Sequence, residues 1–238
     1  MLAAQYPHLV LLPGLVNDSR LWQHQVSGLA DIAQVTVGDL TKGHSIAEMA
    51  SDILASAPAG PFALAGLSMG GYVALEIMRE APERIIALAL LDTSARPDSS
   101  IARDMRNEAI AQAEINYQAV IATLMPKQLH SIHMEDADLV SLITDMAVSL
   151  GNKIFIRQQR AIAGRIDSIP SLALIKCPTL ILCGRDDAIT PIGLHQEMVT
   201  AIEGAGLMMV SDCGHLSALE QPQRVNEALI QWLAKIIH

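Results

Sequence analysis

Four short runs in the first third of the chain, 8–12 (HLVLL), 33–37 (AQVTV), 62–65 (FALA) and 85–91 (IIALALL), are mostly apolar from end to end instead of alternating with polar residues. Successive side chains of a strand point to opposite faces, so such runs need cover on both faces, which is the condition of a parallel sheet. Between them, 20–29, 45–57 and 68–81 carry helical patterns, the last stopped by Pro82. Strand and helix in alternation predict βαβ units with right-handed crossovers.

After Asp92 the strand signal stops. The text turns helical (IARDMRNEAIAQAEI, YQAVIATLM, DADLVSLITDMAVSL, KIFIRQQRAIAG) until strand runs resume at 179–183 (TLILC) and 207–210 (LMMV). A helix is expected near 191–202. A closing helix begins near Pro222 and lines up Val225, Leu229, Trp232, Leu233 and Ile236 on one stripe. The expectation is an α/β core domain of residues 1–94 and 173–238, interrupted by a helical insertion over 95–172.

Length and composition bound the function. A chain of 238 residues can bury a core without disulfides. With 51% apolar and 17% charged residues it is not a disordered chain, yet no uninterrupted apolar stretch approaches the roughly 18–20 residues of a membrane span. The run after MLAAQYP has no Lys or Arg ahead of it and reads as a strand, not a signal peptide, so a cytoplasmic protein is expected. A net charge of -9 with scattered Lys and Arg argues against nucleic acid and anionic membranes. Cys177, Cys183 and Cys213 form no C-x-x-C pair, so reduced thiols and no metal or cofactor are expected.

The sharpest local signal is Gly66-Leu67-Ser68-Met69-Gly70-Gly71, after one strand and at the start of a helix. A nucleophile on so tight a turn needs small neighbours, and the turn exposes its hydroxyl at the carboxyl edge of the sheet, where open α/β sheets bind ligands. A serine hydroxyl needs a base. Of the eight histidines, His215, in Asp212-Cys213-Gly214-His215-Leu216 just past the last strand, is the candidate. His8 begins a strand, His238 is terminal, His130 and His133 fall in the insertion, and His24, His44 and His195 read as surface positions. The imidazole needs a carboxylate to orient it. Asp186 and Asp187, on the loop after TLILC, and Asp92, at the end of IIALALL, are the candidates.

Taken together, these motifs resemble the α/β-hydrolase superfamily over nearly the whole chain. The matching pieces are a first loop Leu12-Pro13-Gly14-Leu15, the elbow at Ser68, an acid loop Gly-x-x-Asp-x-x-x-Pro at Gly184, Asp187 and Pro191, and Gly214-His215 followed by Glu220 and Pro222. The resemblance implies a Ser68, Asp187, His215 triad, in which Asp187 is preferred to Asp186, and an oxyanion hole from the backbone N–H groups of Leu15 and Met69. It implies no cofactor. Pro13 replaces the histidine that many relatives carry there, and few residues precede the first strand, so a reduced sheet of about six parallel strands is expected.

By the same resemblance the insertion is a cap over the active site. Met105, Met125, Met134 and Met146 suggest an apolar lining, although core is the commoner use of such residues. Arg157, Gln158, Gln159 and Arg160 read as a solvated face, the alternative being contact with a substrate carboxylate. The implied activity is hydrolysis of a small carboxylic ester, thioester or lactone through an acyl-enzyme. The alternatives are an enol-lactonase, a C–C bond hydrolase, a lyase of the menaquinone-pathway type, and, from another class, a ligand-binding receptor of the same fold that does not turn its ligand over. Oligomeric state is not legible.

Overall fold

A computed structural model describes residues 6–237; the segment MLAAQ and His238 lie outside them. Six strands, β1 (His8–Leu12), β2 (Gln34–Val37), β3 (Phe62–Leu67), β4 (Ile85–Leu91), β5 (Thr179–Gly184) and β6 (Gly206–Val210), form one sheet in the order β2-β1-β3-β4-β5-β6. Every pairing is parallel, as the apolar runs required. The central strands β3 and β4 are buried almost throughout, while the edges β2 and β6 are exposed at alternate residues.

Two cores follow from the two faces. One carries Leu9, Leu11, Ala63, Ala65, Ala87 and Ala89 against Leu21, Trp22 and Leu29, which flank α1 (Gln23–Gly28), and against α8 (Pro222–Leu233), where Val225, Leu229, Trp232 and Leu233 deliver the predicted stripe. The other carries Val10, Leu12, Leu64, Leu88 and Leu90 against α2 (Ile46–Ser56), α3 (Met69–Glu80) and α6 (Ile192–Ala201). The expected helix over 20–29 is instead a 3-10 turn, Ser19–Trp22, running into the short α1. A further one-turn helix, α7 (Ser217–Glu220), precedes α8. Registers Leu12↔Gly66 and Leu67↔Leu91 set the loops after β1, β3 and β4 side by side at the carboxyl edge.

Between β4 and β5 the chain forms α4 (Ser100–Gln128), a 3-10 turn at Ser131–Glu135, and α5 (Ala137–Ala163). Both long helices are broken, α4 at Asn116 (φ -149°) and α5 at Gly151 (φ 81°). Among the described helices α5 alone has the length and composition to cross a membrane, with mean hydropathy 1.5 over its most apolar window. Gly151 divides it into 137–150 and 152–163, each short of a span. Of the methionines, Met125 and Met146 are buried in the first core and Met134 packs against it, so these three serve packing, whereas Met105 is exposed.

The base of this insertion is tied by charge. The buried Asp98 carboxylate, ahead of α4, accepts from Arg106 Nε at 2.5 Å and Arg165 Nη1 at 2.6 Å, and Arg106 Nη1 also donates to Gln159 Oε1 at 2.6 Å. Ser168 N–H donates to the Ala95 carbonyl at 2.9 Å, closing the entry and exit segments on each other. Removing one partner of a buried ion pair leaves the others uncompensated. Asp98→Asn is therefore expected to lower unfolding free energy by about 3 kcal/mol in urea titration, with a Tm shift to match; an unchanged midpoint would contradict the role given to this cluster.

Candidate active site

The elbow is built by exclusion of side chains. A Cβ on Gly66 would lie 2.3 Å from the Gly70 carbonyl oxygen, and one on Gly70 would lie 2.2 Å from that of Leu12. With those positions bare, strand β3 turns into α3 within one residue, and Ser68 takes φ 54°, ψ -115°, a left-handed backbone that a non-glycine residue adopts only under constraint. The turn is held from below: Thr93 Oγ1 donates to the Ser68 carbonyl at 2.8 Å, and Ser68 N–H donates to the Leu91 carbonyl at 2.9 Å.

Three loops bring three side chains into line. His215 Nε2 is 2.8 Å from Ser68 Oγ, and His215 Nδ1 is 2.8 Å from Asp187 Oδ2. The remaining lone pairs of Asp187 are taken: Oδ1 accepts from Ile189 N–H at 2.8 Å and Thr190 N–H at 2.9 Å, and Oδ2 accepts from Thr190 Oγ1 at 2.6 Å. Asp186 points away, its half-exposed carboxylate 3.7 Å from His130 Nε2. The structure thus brings Ser68, His215 and Asp187 together and leaves Asp186 outside.

Asp92 lies just behind. Its fully buried carboxyl accepts from Gly184 N–H at 2.9 Å on one oxygen and from Ser217 N–H at 3.3 Å and the Ser217 hydroxyl on the other, so it ties the acid loop to the histidine loop. Burial, helped by the charge on Asp187, pushes its pKa up to about 8. Burial also works to lift Asp187, yet His215 and the donors from Thr190 hold it below the ordinary carboxylate range. For His215 burial works downward, and the Asp187 carboxylate, by charge and hydrogen bond, outweighs it and raises the imidazole above its usual value. Burial thus works against charge on Asp92, while His215 and its donors favour charge on Asp187.

Two segments carrying the amides expected to face an oxyanion lie beside Ser68. Gly71 and Tyr72 N–H turn back to the Ser68 carbonyl at 2.9 and 3.3 Å, while Met69 opens the first turn of α3, where a helix supplies no acceptor. Gly14, one residue before Leu15, lies close enough to Ser68 that a Cβ there would be 3.5 Å from the serine's own.

A family model for the alpha/beta hydrolase family matches residues 9–228. The chain belongs to that family. This hydrolase-family chain is similar in structure to a thermophilic esterase from Thermogutta terrifontis, at 28% identity over 99% of this chain and 92% of that one, TM-score 0.90. It has the fold of the enol-lactonase from Burkholderia xenovorans LB400, at 24% identity over 98% and 94%, TM-score 0.88. In sequence it is 26% identical, over 96% of this chain and 91% of the relative, to a Serratia proteamaculans protein described as a carbamate hydrolase.

Several residues of this hydrolase fold escape a reading of the sequence. Thr190 and Ser217 were hidden because a hydroxyl in a loop carries no signal of its partner. His195, expected at the surface, is completely buried: α6 turns it toward the sheet, where Nε2 accepts from Thr93 N–H at 3.1 Å. Gln158 and Gln159, expected on a solvated face, are also buried, because the second half of α5 lies over the loops of the core. Only Arg160 of that quartet is exposed, and Arg157 donates to the Lys42 carbonyl.

Burial pushes the His195 pKa down to about 4, against the opposing charge of Asp187. A group whose folded pKa lies below its unfolded value gives stability that is present above the unfolded pKa and lost as pH falls toward the folded one. Between about pH 6.5 and 4 the wild type is expected to lose about 2 kcal/mol through this residue. His195→Gln, which keeps an acceptor and cannot titrate, should show a shallower decline in urea unfolding at pH 7 and 4.5; parallel declines would refute the assignment.

Proposed function

We propose that this chain is a serine hydrolase of small, largely apolar carboxylic esters, thioesters or lactones. The observation that carries the reading is the unbroken line of hydrogen bonds from Asp187 Oδ2 through His215 to Ser68 Oγ, 2.8 Å at each step. On this reading Ser68 Oγ attacks the carbonyl carbon as His215 Nε2 takes its proton. Asp187 stays ionised and stabilises the imidazolium. The negative charge that develops on the carbonyl oxygen meets the N–H groups of Leu15 and Met69. Collapse of the tetrahedral species expels the alcohol, thiol or ring oxygen with the proton from His215. Water, deprotonated by the same nitrogen, then releases the acid from Ser68.

The insertion is read as the cap that frames the substrate. Its inner surface joins Ala113, Tyr117, Val120, Ile121 and Phe155 to Val16 and Leu15 of the first loop, an apolar cluster beside the proposed oxyanion site. Of residues 157–160, both glutamines and Arg157 are engaged within the protein. That arrangement supports a substrate without a carboxylate, and so an ester or neutral lactone ahead of an anionic enol-lactone. The esterase among the structural relatives points the same way.

Turnover of a short p-nitrophenyl ester, lost in Ser68→Ala, is the expected result; tight ligand binding without turnover would favour a receptor. With chemistry rate-limiting, kcat/KM should rise through an apparent pKa above about 6.5, because the neutral imidazole is the base and its pKa is raised. A limb below that value, or a flat profile from about pH 5 to 8, would contradict it. Asp187→Asn is expected to cost about 10²–10⁴ in kcat and Asp186→Asn less than about tenfold, as measured by steady-state kinetics; a reversed order would move the acid to Asp186.

A further inference from the structure

Leu15 and Val16 occupy the centre of a four-residue turn closed by Asn17 N–H donating to the Gly14 carbonyl at 3.2 Å. Val16, the third residue, has φ 47°. Turns with a positive φ at that position ordinarily use glycine, and for a β-branched residue it is a strained conformation. Rotation of the Leu15–Val16 peptide would relieve it. Something must hold the turn in the form observed.

The holder is on the insertion. Gln158, on the second half of α5 and completely buried, accepts the Val16 N–H on Oε1 at 2.8 Å and donates from Nε2 to the Leu40 carbonyl at 3.1 Å. Because Leu40 offers only an oxygen, the NH2 end of the amide must face it, so the oxygen end must face Val16. A rotated peptide would present the Leu15 carbonyl to that oxygen, acceptor against acceptor, at a buried position where repulsion is weakly screened. Val16 itself is wrapped by Ala113, Tyr117, Val120 and Phe155 of the insertion, so its side chain has no room to follow a rotation.

We infer that Gln158 is a positioning residue for the oxyanion hole: from the cap, it locks the Leu15–Val16 peptide and so holds in one form the strained Gly14–Asn17 turn whose second residue, Leu15, offers the N–H proposed to meet the reacting carbonyl. The Val16 N–H, occupied by Gln158, is excluded from the hole. The inference rests on the hydrolase reading and gives the cap a part in catalysis besides framing substrate. Cap and oxyanion loop then act as one unit.

The test uses full-length protein, a p-nitrophenyl ester, and a trifluoromethyl ketone whose adduct with Ser68 places an oxyanion in the hole. Gln158→Met keeps the volume and removes both hydrogen bonds. Its kcat is expected to fall about 10- to 100-fold with KM within about threefold, and the inhibition constant of the ketone to rise in step with the fall in kcat/KM. Lost packing alone would lower Tm without that parallel. Should Gln158→Met fail to fold, Gln158→Asn, polar and too short to reach both partners, is expected to show the same split. Unchanged kcat, a change confined to KM, or ketone binding that does not track kcat/KM overturns the inference while the hydrolase reading stands. Wild-type protein that turns over no ester or lactone, or turnover that survives Ser68→Ala, overturns the hydrolase reading and this inference with it.

Discussion

Backbone strain at the carboxyl edge of the sheet is the constraint on which the site depends. Among the described residues four non-glycine positions have positive φ: Val16 after β1, Ser68 after β3, Asp92 after β4 and Asp212 after β6. All four follow strands, at the one edge where the candidate site lies. Such conformations cost of order 1–3 kcal/mol each and persist only when their surroundings over-determine them. Here each is held: Val16 by Gln158, Ser68 by Thr93, Asp92 by Gly184 and Ser217, and the Asp212 carbonyl by His133 and Gln221. Relaxing any one would disturb a loop that carries a proposed catalytic group or, at Asp92, the brace between the acid and histidine loops.

The braces cross between the two parts of the molecule. Glu220, buried beneath the histidine loop, accepts from Gly214 and Leu216 N–H with one oxygen and from His130 N–H of the insertion with the other, while His215 N–H donates to the Gln128 carbonyl. The insertion thus grips the histidine loop at one end and the first loop, through Gln158, at the other. Electrostatics follows the same plan. Two buried carboxyls lie near one imidazole: Asp187 gathers the Thr190 donors and the histidine, while Asp92, raised by burial and by the Asp187 charge, ties the Gly184 and Ser217 loops together.

What could be read from the sequence was what depends on local pattern. Continuous apolar runs such as IIALALL require cover on both faces, and β4 has it; Gly66 and Gly70 announce a turn that no side chain could enter. Choosing Asp187 over Asp186 needed a family pattern, since adjacent carboxylates look alike until Thr190 is seen to hold one of them. Illegible features were those set by which face of a helix meets the core. His195 and Gln158 sit among polar neighbours in sequence, and only the packing of α6 and α5 over the sheet and its loops buries them. Arg165 is far along the chain from Asp98 and Arg106 and joins them only once the insertion closes on itself.

The central claim is that Ser68, among all the serines of this chain, is made nucleophilic by its setting. Fluorophosphonate labelling of the folded protein, followed by peptide mapping, tests it most directly. A single adduct on the peptide bearing Ser68, formed faster as pH rises through the His215 pKa and absent after denaturation, is the predicted result. Labelling at another serine, or none at Ser68 in folded protein, would contradict it.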